Sequence, residues 1–552
     1  VTFQTIIDNL VTDTIGVSLP LFRPELVLCF TIVGMLLAKV LPLARRIDPF
    51  LLAIVGSVLA LVLSVPAEGL SHISQSQRVE LFTGMLVYDA LTVYLRMLLV
   101  GATVVLVLLS RITGLADRFD GQDYYTLLLG ATLGMCIMAS ANHLLTVFLG
   151  VEMASVPSYV LAGMVKSSRR AGEAALKYAV YGAGAAGVML YGITLLAGLT
   201  GTAHLPTLAT QLARLDILTL AASGENNGVV LAVVLSMLMI GVGLAFKLAA
   251  VPFHFWCPDV FEGATAEVAG YLSVASKAAA IALLLRLTVG MVGPLADTPR
   301  VADAAVPVQI VALISGDTTP NAPQLDGDRF LGLVVAIVAI LTCTFGNLAA
   351  YAQQNMKRML AYSTIAHAGY MMMAVSAALW MGAGGAADAV DALLIYLGIY
   401  LFMNLGAFAI VAVLRNAMGS EQISDYAGLV RQCPVLTSTM VILLVGLIGL
   451  PPLAGWIGKF AIFMSLAQAG DPLMIGLLIA AGLNTVVSLV YYVNVAKVMC
   501  IDPPSPTARP IAIGLWPITL VVSLAIPVVL WGILPASLTD LTSQVARQFV
   551  GL

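Results

Sequence analysis

Seven basic side chains, Lys39, Arg96, Lys177, Lys247, Lys277, Arg286 and Lys459, fall inside stretches that are otherwise apolar. A charged group held in hydrocarbon costs roughly 2.5–3.5 kcal/mol on insertion scales. Such a group persists where it pairs, binds or carries something. Near a helix end, Lys and Arg can extend to the headgroups at little cost, so depth decides which of the seven matter. Lys277 is the deepest, thirteen residues from either end of the apolar run 264–290, or about 20 Å at about 1.5 Å per residue. Its neighbours in Ser273–Ala280 are small and admit a close helix. Lys247 precedes Pro252 in a run, 229–257, that is long for one straight span. Lys459 follows Pro451 and Pro452 among Gly449, Gly455 and Gly458. Proline breaks a membrane helix, and a break is tolerated where the freed backbone lines a polar or wet cavity. Glu152 adds a carboxylate nine residues into the run 143–165. A carboxylate and amines spaced through a membrane interior can hold and pass protons.

Two histidines, His254 and His367, either relay protons or serve as hydrogen-bonded structural residues. Glu173 and Lys177 stand four apart and can pair with each other. Arg286 and Lys39 lie near helix ends and are expected to snorkel, and Arg96 is left open. The glycines of Gly182–Gly187 sit in an apolar run, where small residues let backbones approach, and not in a phosphate loop.

The elements that must position these groups follow from composition. Of 552 residues, 60% are hydrophobic and 10% charged, with mean hydropathy +1.00. Soluble domains carry about 25% charged residues, so lipid must be the main solvent. Apolar runs long enough to span fall near 24–43, 50–65, 86–110, 124–141, 143–165, 173–199, 229–257, 264–290, 330–351, 359–380, 388–414, 436–468, 473–499 and 511–534. The fold class is therefore an all-α integral membrane protein of about 14 transmembrane helices. Connections after odd-numbered helices hold thirteen Lys and Arg, among them Arg45, Arg46, Lys357, Arg358 and Arg415, against six on the other side with both termini. Basic residues concentrate on the cytoplasmic side, which places both termini outside.

Net charge is -3, which gives no sign of nucleic acid as a partner. The six cysteines are scattered without a CxxC, so an iron–sulfur or zinc site is not expected. The stretch to Leu19 carries Asp8 and Asp13 and no basic run, so no cleavable signal is expected. Polar stretches 200–228 and 291–328 read as outer loops. Glu152 precedes Lys247 by 95 residues and His367 precedes Lys459 by 92. Each span ends in a broken helix with a lysine. The offset covers five helices, so the two copies would be inverted.

The segments Phe246–Gly263, Asn355–Tyr370, Gly449–Phe460 and Glu173–Tyr178 resemble the antiporter-like membrane subunits of bacterial NADH:quinone oxidoreductase (respiratory complex I), in their subunit N form. The resemblance runs from about 86 to 500. It implies fourteen helices with two inverted five-helix repeats, dividing the chain into 1–123, 124–290, an outer loop 291–329, 330–499 and 500–552. It implies a hydrated midplane chain in which Glu152, Lys247, Lys277 and Lys459 carry protons. At Lys459 the sibling subunit M has a glutamate instead. Cys257 stands where alanine is more usual, and the 291–328 loop is long. Electron transfer from NADH to quinone would lie on partner subunits holding FMN, iron–sulfur clusters and the quinone site, with none of these on this chain. The partners would be antiporter-like siblings and small membrane subunits in a hetero-oligomer of the cell inner membrane. Two rival readings are a subunit of a multisubunit Na⁺/H⁺ antiporter and a non-pumping membrane scaffold.

Overall fold

The computed structural model describes residues 3–41, 48–66, 69, 78–118, 120–215, 227–292, 325–504 and 511–551. The polypeptide opens with α1 (Phe3–Val11), followed by a π-helical segment Thr12–Ser18, α2 (Arg23–Val40) and α3 (Pro49–Ser64). A hairpin of β1 (Val79–Leu81) and β2 (Leu86–Tyr88) comes next. Then follow α4 (Ala90–Ile112), α5 (Gly121–Ser140), α6 (Leu144–Ala162), α7 (Arg169–Thr200) and α8 (Leu205–Leu215). The first broken pair is α9 (Asn227–Leu248) and α10 (Trp256–Gly263). After it, α11 (Ala266–Tyr271) runs through a π-helical turn, Leu272–Ser276, into α12 (Lys277–Leu287). The second half comprises α13 (Leu325–Tyr351), α14 (Met356–Met381), α15 (Ala383–Met418), the broken pair α16 (Pro434–Ile448) and α17 (Ala454–Gln468), α18 (Pro472–Cys500), α19 (Leu515–Ile533) and α20 (Ala536–Val550).

Every one of the fourteen anticipated segments is occupied by a helix or a broken helix pair. By length and composition alone, ten described helices can cross a membrane, or eleven if the pair Thr12–Leu21 and Arg23–Val40, bent by 82°, is one span. The remainder are shorter, interrupted or more polar, so length does not fix the count at fourteen. The structure also departs from the expectation of helices throughout. Residues 86–88 belong to a hairpin, because Asp89 caps α4 by accepting from Thr92 N at 2.8 Å and so starts the helix later. The stretch read as a loop at 200–228 contains the amphipathic α8, and α20 follows the last expected span. Most of the anticipated 291–329 loop lies outside the described residues, as do Arg45, Arg46, Arg300 and Arg509.

Helix ends follow local chemistry. Asp48, His143, Ser168, Asn355 and Asp471 each accept a backbone N–H at the start of a helix. The cluster of ends at 355, 421–423, 428 and 498 is stitched by backbone bonds such as Met356 N to Glu421 O, 2.9 Å, and Gly428 N to Val498 O, 3.0 Å. The opposite cluster joins Leu86 to Ala141 and His143 to His204 through backbone bridges. The π-helical segment Thr12–Ser18 meets that second cluster, where Phe82 N donates to Ser18 Oγ at 2.8 Å. α20 meets it too, since Ala90 N donates to Gln548 Oε1 at 3.0 Å.

The stretch Ala266–Leu287 is wholly enclosed and α14 and α15 nearly so, while α18 and α19 face mostly outward. Outward positions such as Leu176, Leu231, Leu348, Leu483 and Val486 are large and apolar, as a lipid-facing surface requires. Inside, α13 and α14 approach through glycines. A Cβ at Gly369 would stand 2.6 Å from Cys343 N, and one at Gly346 would stand 2.6 Å from Ala366 N. Close backbone approach is how membrane helices gain packing energy without a hydrophobic drive.

Candidate functional site: a row of buried charges

The two helix breaks place two of the lysines. In the first, α9 ends at Leu248 and Ala249 takes a positive φ of 54°. The interrupted ladder finds substitutes: Trp256 Nε1 donates to Phe246 O at 3.0 Å, and Val251 N donates to Thr342 Oγ1 at 3.0 Å. Trp256 stacks on Tyr178, with centroids 4.4 Å apart, which anchors α10 to α7. Lys247, 2% exposed, is the penultimate residue of α9, and its Nζ has no hydrogen-bond partner. Glu152 on α6 faces it as the opposite charge. The pair does not close to a hydrogen bond, and Glu152 Oε1 is likewise enclosed and unpartnered.

In the second break, Gly449 adopts φ +84° after Ile448. Lys459 Nζ donates to the freed carbonyl of Ile448 at 2.9 Å and lies 4.6 Å from the centre of the Tyr370 ring. A Cβ at Gly449 would lie 2.8 Å from Lys459 Cδ. Glycine is therefore required both by the backbone angle and by the lysine's own stem. Each break also holds a cis X–Pro bond, Val251–Pro252 and Pro451–Pro452.

Lys277 stands at the end of the π-helical turn, 2% exposed and with no partner for its Nζ. Cys257 on α10 faces it. His367 sits between Lys277 and Lys459, within the field of both. It is buried among tyrosines: Nδ1 is bonded to Tyr396 OH, and Nε2 to Tyr492 OH at 3.1 Å. Ser363 bonds the same Tyr492 hydroxyl. Nearby, Asn404 Nδ2 donates to Ser273 Oγ at 2.7 Å and to Tyr400 OH at 2.9 Å. The stretch from Lys277 to Lys459 is thus lined by hydroxyls and amides. His254 is different. It is only partly enclosed, at the first break, with its ring 4.2 Å from that of Phe345.

Residues 141–319 and 323–484 match the family described as NADH:quinone oxidoreductase/Mrp antiporter, TM. The chain belongs to this family. Its relatives include subunit N proteins. That of Anaeromyxobacter sp. (strain Fw109-5) is 37% identical over 502 residues, covering 89% of each chain. Subunit N 2 of Sorangium cellulosum (strain So ce56) is 37% identical over 531 residues, covering 94% of this chain and 95% of that one. A chain of respiratory complex I from Thermus thermophilus superimposes with TM-score 0.67 at 29% identity, covering 94% of this chain and 98% of that one. A chain of the Mrp complex from Dietzia sp. DQ12-45-1b shares the fold, with TM-score 0.75 at 18% identity, covering 96% and 98%. As in other antiporter-like membrane subunits of this family, the architecture is helical, apolar and broken.

Several charged residues of this family member escaped the sequence reading or were misread. Arg286 was expected to snorkel. Instead it is 6% exposed, with NH1 and NH2 donating to Asp89 at 2.9 and 2.8 Å and Nε donating to Ala139 O at 2.5 Å. Enclosure by α4, α5 and Phe549 of α20 leaves it no route to the headgroups. Arg96, left open, pairs with Glu25 at 2.7 Å, both nearly fully buried. Lys177 does bond Glu173 at 2.7 Å, but it also holds Asp259 at 2.6 Å. Arg358 ties Asp259 and Glu262 from α14 at 2.8 and 2.9 Å. α10 is therefore pinned by charges on two neighbours. Lys39 reaches Asp120 and Asp123 at the end of its helix. The tyrosines around His367 carried no sequence signal beyond helical spacing. Among the described residues, no three His, Cys, Asp or Glu side chains gather as a metal site, and all six cysteines are free.

Proposed function

We propose that this chain is the proton-translocating subunit N of an NADH:quinone oxidoreductase. The observation that carries the reading is the row of ionisable groups, half-buried Glu152 and fully buried Lys247, Lys277 and Lys459, in which Lys247 and Lys277 hold no fixed acceptor. A lysine locked to a carboxylate keeps its proton, whereas one with no fixed acceptor can hand it on. Buried charges without partners are costly in a membrane, and a purely structural subunit would gain nothing from them.

In this mechanism the Glu152–Lys247 pair closes and opens. Approach of the carboxylate favours the ammonium, and its withdrawal favours proton release. Lys277 receives the proton, and the polar residues around His367 and Asn404 pass it toward Lys459. The titrations are coupled, so no step belongs to one residue. NADH, FMN, iron–sulfur clusters and quinone act on partner subunits, and the redox energy arrives as a change of charge or hydration near Glu152. That residue borders an outward apolar stripe of α6, Leu145, Leu149, Met153 and Val156. An enclosed carboxylate oxygen at the edge of such a stripe suits contact with a neighbouring membrane subunit. The face holding Arg170, Arg358 and Arg415 is the cytoplasmic one, and both termini are outside, by the distribution of basic residues.

The test is NADH-driven proton translocation in the reconstituted complex carrying Lys247→Ala. A lowered ratio of protons to electrons is expected. An unchanged ratio in an assembled variant overturns the role. The family description, which joins NADH:quinone oxidoreductase with the Mrp antiporter, supports cation exchange as a second reading. Sodium-dependent exchange without NADH would favour it.

A further inference from the structure

Glu267 takes no part in the row described above. It lies at the start of α11, ten residues before Lys277 on the same continuous helix, 2% exposed and with no partner for Oε2. Capping does not explain it, because Thr265 fills that role by accepting from Val268 N. Charge balance suits a carboxylate here but does not use its free oxygen. The nearby Lys357 bonds Glu421 at 2.9 Å and the carbonyl of Ala264 at 2.6 Å, and Glu267 Oε2 is not among its partners. Glu421 in turn meets Arg415 at 3.2 Å and is partly exposed, which connects this corner to the water-facing surface.

Inward from Glu267 runs a ladder of hydroxyls between α4, α5 and α11. The lower rung is Ser110 Oγ bonded to Tyr124 OH at 2.6 Å, and Tyr124 lies within the field of the Glu267 carboxylate. The upper rung is Thr103 Oγ1 to Thr132 Oγ1 at 2.7 Å and Thr132 Oγ1 to Tyr271 OH at 2.6 Å. Residues four apart on a helix share a face, so Tyr271 stands one turn above Glu267. Thr103 and Ser110, and Thr132 and Tyr124, are spaced by about two turns on their own helices. From Tyr271 to Lys277 the rise is about 9 Å at about 1.5 Å per residue. Both side chains lean toward the helix N-terminus, so that interval stays open between them.

We propose that Glu267 is the entry group through which protons from the Lys357–Arg415 face reach Lys277, by way of the Tyr124–Ser110 and Tyr271–Thr132–Thr103 hydroxyls. This rests on the proton-translocating reading above. The carboxylate takes one proton from water and gives it to a tyrosine oxygen. Each hydroxyl passes its own proton onward, water admitted between the rungs and before Lys277 bridges the two intervals that no side chain spans, and the last donor converts the free amine of Lys277 to ammonium. The hydroxyls then rotate back. One proton enters, one arrives, and no other species is consumed.

The experiment counts protons translocated per electron in the reconstituted whole complex for Glu267→Gln, Glu267→Asp, Lys277→Ala and Lys459→Ala. The expected result for Glu267→Gln is loss to the ratio of Lys277→Ala, with most of the wild-type ratio kept in Glu267→Asp. A wild-type ratio in Glu267→Gln, with Lys277→Ala lowered, overturns the entry role alone. Wild-type ratios in both lysine variants overturn the underlying reading. Should Glu267→Gln fail to assemble, the double variant Tyr271→Phe with Thr132→Val decides the matter. A lowered ratio supports the ladder, and an unchanged ratio overturns it.

Discussion

Arg286 and Asp89 meet as a two-pronged ion pair, with NH1 and NH2 at 2.9 and 2.8 Å from the two carboxylate oxygens, although 197 residues separate them in the chain. Asp89 also caps α4. One carboxylate thus fixes where a helix begins and ties that helix to the one bearing Lys277. Removing one partner of a buried pair typically costs about 3–5 kcal/mol, because the other charge is left uncompensated. Arg286→Ala and Asp89→Ala should each destabilise the subunit by roughly that amount, and the double variant should lose less than the sum. Thermal melts of the purified complex, run as a double-mutant cycle, check this. Additive losses would mean the pair is not coupled.

The second break makes a sharper claim about one atom. Gly449→Ala places a methyl group 2.8 Å from Lys459 Cδ at a φ of +84°. A non-glycine residue in the left-handed region costs about 1–2 kcal/mol, and the crowding adds to it. The lysine must shift away from the Ile448 carbonyl. The expected outcome is a modest fall in melting temperature with a disproportionate fall in proton translocation. Equal effects on both would show that the glycine serves stability alone.

Lys459 also lies over the Tyr370 ring. A cation over an aromatic face gains about 0.5–2 kcal/mol, and the ring supplies this without the hydroxyl. Tyr370→Phe should therefore keep most proton translocation and Tyr370→Leu should lose it. If the two variants behave alike, the ring is not the contact that matters.

At the face where the hairpin meets α6 and α8, Glu80 accepts from the His204 ring at 3.0 Å and from Asn142 Nδ2 at 3.1 Å. The bond from His204, its positive charge, the bond from Asn142 and the charge of Arg78 hold the Glu80 carboxyl below its ordinary value of 4.5, against the opposing effect of burial. For a depressed carboxyl, the stabilisation is fully present above the unfolded value and is lost as pH falls through the folded one. Melting temperature should thus drop on acidification below about pH 4.5, and Glu80→Gln should flatten that part of the profile. A slope unchanged in Glu80→Gln would assign acid lability elsewhere.

Much of this was legible from residue types and spacing. Lys277 declared itself by depth in an apolar run, and Lys247 and Lys459 by the prolines beside them, because the cost of a charge in hydrocarbon leaves few innocent explanations. Helix positions were legible for the same reason. Arg286 was misread because distance along a helix measures reach to the headgroups only when nothing stands in the way, and Phe549 comes from the far end of the chain. The Tyr396, Tyr492 and Asn404 contacts were invisible, since a tyrosine at helical spacing looks the same whether it faces lipid or a histidine. The hairpin at 79–88 was hidden because its apolar residues continue smoothly into α4.

The bond from Lys459 to the carbonyl of Ile448 ties two events together. In the proposed mechanism the ammonium swings off to deliver its charge, and that carbonyl is then left bare in an enclosed place, where an unmet acceptor costs about 1–3 kcal/mol. Only incoming water can relieve it, so the lysine's departure summons its own replacement. Under that mechanism the severed end of α16 would act as a turnstile: dry while the lysine occupies it, and wetted once vacated.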